Sequence, residues 1–431
     1  MRDRCNSGII GVVERMMGEK ARKWLGISGR VIIILFDIYY MLGGSFLRTI
    51  FPYRKGLVYL AVLIFGVNFS VRHICKKHSR QETAWMIFLL GAGVLCAYVT
   101  GEFTLMISAI CILGAVGMDK VMLFRDLLFE KTGFLAVSII FSTAGIIPTV
   151  SGSYERLYSF FGNGMVYRRS LGFSNYNILG LVVFELIVLY ILYVWQKQGR
   201  SLLGGQYSVL FGIAFCAYVV SGSRTAFLCE LLLLAAMKSW DRGWIKCGGL
   251  KGLIMTVMVG GSLFFSEGIV LLHDMKPEWY QRLDNILQAR LLFIYRYMLK
   301  FDISFWGNNT KDLTDFWGRE SGFDWISLDC GYAVMMIRYG VALTLLFVLM
   351  HAVYLYSRRY SSGAYVLCVM LVMGIYNISE NVLVFPTINF SLLYLADVVC
   401  YDCTGYGNMR NAVKTDQTER AAEPPTAGGR S

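Results

Sequence analysis

Arg282-Leu-Asp-Asn-Ile-Leu-Gln-Ala-Arg290-Leu-Leu-Phe-Ile-Tyr-Arg296-Tyr-Met-Leu-Lys300 is the stretch on which the fold turns. It lacks Gly and Pro and reads as helix. At 100° per residue, Arg282, Arg290, Arg296 and Lys300 fall within one arc of about 120°. The rest of that helix is apolar almost all round. A solvated surface helix has a broad polar face, so this strip points to something anionic while the remainder lies against protein or a membrane surface. Lipid headgroups are one such partner. The helix sits within Leu272–Cys330, a segment rich in Trp, Tyr, Asp and Arg, which is the only long interruption in a chain of apolar runs.

Working outward, those runs set the class. The 431 residues are 56% hydrophobic and only 16% charged, whereas soluble domains are about a quarter charged. Repeated apolar runs of helix-spanning length predict an all-α, polytopic integral membrane protein. Twelve spans are expected, near 31–47, 56–71, 84–100, 103–118, 132–150, 175–195, 207–221, 225–237, 252–271, 330–356, 362–377 and 385–400. The first follows a long basic leader, residues 1–30, and is expected to be retained. The membrane domain then covers 31–403, with outer loops 151–174 and 272–329, and residues 404–431 read as a disordered cytoplasmic tail. With the N-terminus inside, cytoplasmic segments hold 26 Lys and Arg and outer segments 14, as the positive-inside rule requires. The net charge of +12 is thereby assigned to membrane orientation and not to nucleic acid. One loop breaks the rule: Arg48, Arg54 and Lys55 fall outside. The 11 Cys lie mostly singly in apolar runs (Cys96, Cys111, Cys216, Cys229, Cys368) and read as small buried hydrophobes. Cys400 and Cys403 lack a second pair or a nearby His, which argues against zinc.

The unusual chemistry gathers on the outer side. Arg224 follows a Ser221-Gly-Ser223 turn and opens a helix, where its charge opposes the helix dipole. A phosphate beside that N-terminus would be held by the guanidinium and by free backbone N–H groups together; the alternative is an Arg snorkelling to the interface. Arg168 and Arg169 in loop 151–174, with Arg290 and Arg296, would join Arg224 if both loops fold over one cavity. Arg grips a diphosphate well because its planar fork binds two oxygens at once. Asp329 opens the tenth span and is either an N-cap or a general base for a sugar hydroxyl. Arg338 lies about 12 Å further along by the helical rise, deep enough to face a cavity or a partner. Glu380, between spans eleven and twelve, is a second base or a polar ligand for sugar. His273 is the only outer His, so neither a His-led nucleophile nor a metal site is expected. Asp37, Glu185, Glu230 and Glu267 fall in or near spans, as packed polar residues or parts of an ion pathway, with no relay visible in their spacing. No phosphate loop, dinucleotide fingerprint, zinc-protease motif or serine elbow occurs in usable context. No outer Asp-x-Asp pair is present, which argues against a nucleoside-diphosphate-sugar donor and an obligatory divalent cation.

Ser221-Gly-Ser-Arg224-Thr-Ala-Phe at the outer end of a middle span resembles the S-x-S-R motif of the O-antigen polymerase and ligase superfamily. The Arg-containing outer loop, then Asp329-x-x-Tyr332 and Gly340, is similar to the same group, as is the twelve-span layout. Gly172-Phe-Ser-Asn175-Tyr-Asn-Ile-Leu-Gly180 resembles a segment that opens a span in many members, where His often stands beside that Asn and Ser174 stands here. The likeness covers most of residues 90–400. It implies a metal-independent, cofactor-free inverting glycosyltransferase at the outer face of the bacterial cytoplasmic membrane, of the Wzy-type polymerase kind that extends capsule, exopolysaccharide or O-antigen. Its partners would be a polyprenyl-diphosphate-linked glycan donor and acceptor and the lipid bilayer, with a flippase and a chain-length regulator as associated proteins. Carried over, Arg224 and the loop Arg residues would neutralise the diphosphate, with Arg224, Arg290 and Asp329 as catalytic groups. Arg168, Arg169, Arg296, Asn175, Tyr332, Arg338 and Glu380 would bind substrate. Many ligase relatives place a His in the long loop; this chain has only His273 there, which favours polymerase over ligase. A flippase, with charges along a path through the bilayer and pseudo-symmetric halves, is the competing class, and a scaffold with replaceable Arg residues is the third. Loop aromatics (Trp279, Tyr280, Trp306, Phe316, Trp317, Trp325) suit sugar faces and the membrane interface alike.

Overall fold

Apolar runs free of proline become helices here because a helix satisfies its own backbone where no water can. Pro52, Pro148, Pro277 and Pro386 all stand outside helices. The computed structural model describes residues 2–75, 80–156, 164–275, 277–287, 290–310, 328–357 and 363–399. Helix α1 runs Arg2–Gly43, α2 Lys55–Cys75, α3 Arg80–Thr100, α4 Thr104–Gly114 and α5 Lys120–Thr143. A hairpin of β1 (Ser151–Arg156) and β2 (Gly164–Arg169) follows, then α6 (Tyr176–Gln198), α7 (Gly204–Ser221), α8 (Arg224–Asp241), α9 (Cys247–Leu263) and α10 (Ile269–Met275). Short helices α11 (Glu278–Ile286) and α12 (Arg290–Lys300) precede α13 (Gly331–Val334), α14 (Gly340–Tyr356), α15 (Ala364–Tyr376) and α16 (Ala396–Val399). The tail 404–431, the Cys400 and Cys403 pair, and Phe316, Trp317 and Trp325 lie outside the described residues.

The architecture is all-α and polytopic. Seven helical segments are long and apolar enough to cross a membrane: Lys23–Gly43, Lys55–His73, Glu82–Thr100, Tyr176–Gln198, Gly204–Ser221, Cys247–Met275 and Gly331–Tyr356. Thr104–Gly114, Ala364–Tyr376 and Phe390–Val399 are apolar but shorter. The central α6 packs against α5, α7 and α8. At the periphery, α2, α3 and α7 turn Tyr59, Leu63, Ile87, Phe88, Val209 and Phe211 outward, a surface suited to lipid. Cys216, expected inside, is exposed on that same face of α7, whereas Cys96, Cys111, Cys229 and Cys368 are buried.

Four local expectations fail, two through local caps and two through contacts with distant segments. The stretch 282–300 is not one helix. It breaks between Ile286 and Arg290, and Asp284 Oδ1 accepts the N–H groups of Leu291 (2.9 Å) and Leu292 (3.2 Å), capping α12. Arg282 therefore leaves the cationic arc and pairs with Glu278 on the exposed face of α11, 3.5 Å away. The span 330–356 is interrupted at Gly340, where φ is +85° and ψ 172°. Residues 304–308 insert there: Val341 and Ala342 donate to Ser304 O and Phe305 O (3.1 and 3.0 Å), and Asn308 N–H donates to Arg338 O (2.9 Å). A Cβ at position 340 would meet Gly307 N at 2.3 Å, so only glycine fits. The span 385–400 is largely irregular, with a 3₁₀ turn at Phe390–Tyr394 and the single turn α16. Buried Asn side chains satisfy the freed backbone: Asn377 Oδ1 accepts Val382 N–H (3.1 Å) and Asn389 donates to Leu383 O (2.9 Å). Such backbone is tolerated in a membrane only inside protein. Finally, 119–131 is no loop but the first half of α5, started by Asp119, whose Oδ1 accepts Val121 N–H at 2.8 Å.

Candidate functional site

The site is assembled at the end of the bundle where α7 gives way to α8. Helix α7 ends on Gly222, whose φ of +63° and N–H bond to Tyr218 O (2.7 Å) make a left-handed C-cap. Ser221 Oγ accepts Ser223 N–H (3.1 Å), tightening the turn that delivers Arg224 to the first position of α8. Ser223 in turn lies on Gly180 of α6, where any Cβ would come within 2.5 Å of it. The Ser-Gly-Ser-Arg segment thus places a cation beside the unsatisfied N–H groups that every helix start presents.

The hairpin brings the second cation. Strands β1 and β2 are antiparallel, with Gly152 opposite Arg168 and Ser151 opposite Arg169. Beyond β2 the chain is pinned to the α1–α2 connection: Phe46 N–H donates to Gly172 O (2.8 Å) and Ser174 N–H to Gly44 O (2.9 Å). Gly172, at φ +91°, lies on Ser138 O. Arg168 then reaches over the α7–α8 turn, so that a Cβ on Gly222 would sit 2.7 Å from its Nε. Its guanidinium stands 5.7 Å from the centre of the Tyr176 ring. Desolvation and, after it, the nearby charge of Arg224 push the Arg168 pKa down to about 10. Two guanidiniums held close enough to disfavour each other's charge form a receptor for an anion.

The third cation comes from α12. Arg290 opens that helix and pairs with Glu380 Oε1 at 3.1 Å. Burial raises the Glu380 pKa; Arg290 opposes that shift and Asp329 adds to it. Arg168, Arg224 and Arg290 line one cavity of about 300 Å³, with Asn177, Cys229 and Ser379. Its volume is at the small end of the range for small-molecule sites. A half-buried carboxyl pair, Glu380 and Asp329, lies beside the cationic wall. The arrangement can bind a polyanion, and it offers a carboxylate to take a proton from a neutral nucleophile.

The other expected residues do not line this cavity. Arg169 is exposed on the opposite face of β2 from Arg168, as strand alternation dictates. Arg296 is six residues beyond Arg290, which turns it about 120° round α12 and moves it about 9 Å along. Asn175 is the exposed N-cap of α6, accepting Asn177 N–H at 3.0 Å. Asn177, which sequence reasoning passed over, is the one that lines the cavity. Tyr332 is a core strut: it is fully buried, donates to Gly374 O (2.9 Å) and stacks on Phe265. Arg338 is buried in a separate network with Glu102 (2.9 Å) and Thr310 (2.8 Å), tying the 304–310 segment to the α3–α4 turn. Glu380, reached through its pair with Arg290, and Asp329 near it do not line the cavity themselves. His273 stacks on Tyr295, with ring centres 3.7 Å apart. No protein-family model, curated protein or solved structure matches the chain.

Proposed function

We propose that this cavity holds the diphosphate of a polyprenyl-linked glycan and that the protein is a membrane glycosyltransferase, a Wzy-type polymerase of capsule, exopolysaccharide or O-antigen repeat units. The meeting of Arg168, Arg224 and Arg290, from three distant segments, at one cavity is the observation that carries the reading. In this mechanism the acceptor hydroxyl attacks the anomeric carbon of the donor glycan from the face opposite the diphosphate. The C–O bond to the diphosphate breaks, configuration inverts, and the hydroxyl proton passes to a carboxylate. Charge builds on the departing diphosphate, so prepositioned guanidiniums contribute most in the transition state. Glu380 is the best placed base, since its raised pKa makes it a stronger proton acceptor than an ordinary carboxylate; Asp329 supports it electrostatically. Arg169, Arg296, Asn175, Tyr332 and Arg338 act, in this reading, at the periphery or through the scaffold.

The reading requires the cavity to face the outer side of the bacterial cytoplasmic membrane, with twelve crossings and both termini inside. Seven helices long and apolar enough to cross, with shorter apolar helices beside them, are compatible with that topology. The turn at Gly101 packs on Asn309, near the Arg338 network, while the far ends of α1 and α4 meet at Gly29 and Gly114. Substitution of Arg224 by Ala in cells should leave protein levels normal and abolish long-chain glycan, with single repeat units accumulating outside. Full-length polymer in that variant would refute the proposal. A lipid-linked oligosaccharide flippase is the second reading, favoured by charges buried deep in the bundle at Asp37, Lys131 and Glu185; loss of the protein would then trap units inside.

A further inference from the structure

A second charged cluster lies between α1, α5 and α6, and the reaction above makes no use of it. Lys131 Nζ is 2.7 Å from Asp37 Oδ1 and 2.6 Å from Glu185 Oε2, and all three side chains are sealed from solvent. One residue earlier on α5, the Glu130 carboxyl comes within hydrogen-bonding reach of Asp37. Other titratable groups around the cluster are Cys111 on α4, which senses Asp37, and Tyr376 on α15, which senses Glu185. The ring of Phe390 is 5.8 Å from Lys131 Nζ. Counted as ions, the four groups are three carboxylates against one ammonium, a net charge of −2 inside the bundle. An imbalance of that size is expensive in a medium of low dielectric.

The hydrogen-bond inventory supplies an independent sign. Both oxygens of Glu130 and Oδ2 of Asp37 are buried and, among the described residues, have no donor. Two carboxyls that face each other without a hydrogen between them are doubly penalised, by like charge and by unmet acceptors. The three carboxyls are not set to hold a metal ion among the described residues. We propose that the pair Asp37–Glu130 is a proton-binding site within the membrane bundle, one proton being shared between the two carboxyls beside the Lys131 ammonium that Asp37 and Glu185 contact. The proton supplies a donor between the two carboxyls and brings the net charge of the four groups from −2 to −1. Exchange has a route. A cavity of about 650 Å³ between α1, α2 and α5, walled by Leu42, Leu47, Phe51 and Phe134, reaches Glu130 and has Arg54 in its lining. Protonation state here is set by conditions at that cavity and is felt by the packing of α1 against α5 and α6.

Infrared spectroscopy of the full chain in lipid nanodiscs tests this directly. Wild type at neutral pH should show the carbonyl stretch of a protonated carboxylic acid. That band should shift in D₂O and fade as pH is raised. Glu130→Gln and Asp37→Asn should each remove one and the same component of that band, while Glu230→Gln, which alters a buried carboxyl elsewhere on α8, should leave that component in place. Absence of the band in wild type at neutral pH would overturn the proposal, as would a band unchanged in both variants. A band that disappears on adding Na⁺ at constant pH would also overturn it, in favour of a cation site. If the two variants do not fold, the conservative Asp37→Glu variant decides the matter: it should move the band, and a band unmoved by it would overturn the proposal.

Discussion

The two charged regions of this molecule are opposites. At the α7–α8 turn, three guanidiniums converge on an open cavity and cations are in excess. Between α1, α5 and α6, three carboxyls surround one ammonium with no solvent, and anions are in excess. We propose an anionic ligand for the first and a proton for the second. The difference teaches that charge excess carries a different meaning at a cavity mouth and inside a bundle. At a cavity mouth, water screens like charges and makes their convergence tolerable. Inside, every ion must be balanced locally or neutralised.

Breaking the inner balance should have the largest effect. Lys131→Met leaves Asp37 and Glu185 buried without their counter-charge and should cost roughly 3–5 kcal/mol of stability, seen as a sharp fall in thermal midpoint in detergent. The triple variant Lys131→Met, Asp37→Asn, Glu185→Gln should recover most of the loss; equal midpoints for the single and triple variants would show that charge balance is irrelevant there. Next is the guanidinium at the α7–α8 turn. Arg224→Ala should lower transfer about 10²–10³-fold, and Arg224→Lys should restore only part of it because an ammonium lacks the planar fork; product ladders from isolated membranes measure both. A smaller effect is expected at Gly222→Ala, where φ of +63° alone costs a side chain about 1–2 kcal/mol. Because the added Cβ also displaces Arg168, transfer should fall further than stability does; a loss confined to stability would separate the hairpin from the site. The rate should also follow Glu380. Its pKa is raised by burial, and its ionised form accepts the proton, so activity should rise with pH along a limb set above the ordinary carboxylate range. Glu380→Gln should remove that limb, as pH–rate profiles would reveal. Smallest of all, Arg169→Ala on the exposed face of β2 should change transfer by no more than about twofold, and a loss matching that of Arg168→Ala would blur the contrast between the two strand faces.

What sequence could reveal follows the same division. Long apolar helices were legible because hydropathy over about twenty residues is a local property. Arg168, Arg224 and Arg290 stood out in sequence because each is a cation in or beside an otherwise apolar or turn-rich segment, and the structure brings the three to one cavity. The choice between Arg168 and Arg169 was not legible, because it depends on hairpin register. The break at 287–290 depends on Asp284 capping α12, and the break at Gly340 on an insertion from residues 304–308. Lys131 was assigned to a loop because its charge lowers local hydropathy; its partners on α1 and α6 stand 94 and 54 residues away in sequence. Pro386 did carry a warning against a regular helix at 385–400, and Tyr-Asn177 stood next to the Asn175 motif. Tyr332 and Arg338 looked like ligands because polar groups in spans often are, yet both are held by intramolecular bonds.

The most direct test of the convergence at the α7–α8 turn is the affinity of the purified, nanodisc-embedded protein for a prenyl diphosphate against the corresponding monophosphate. The account predicts a preference for the diphosphate of about tenfold or more, lost together in Arg168→Ala, Arg224→Ala and Arg290→Ala and retained in Arg169→Ala. Equal affinity for the two lipids, or a preference untouched by the three cavity substitutions, would contradict it.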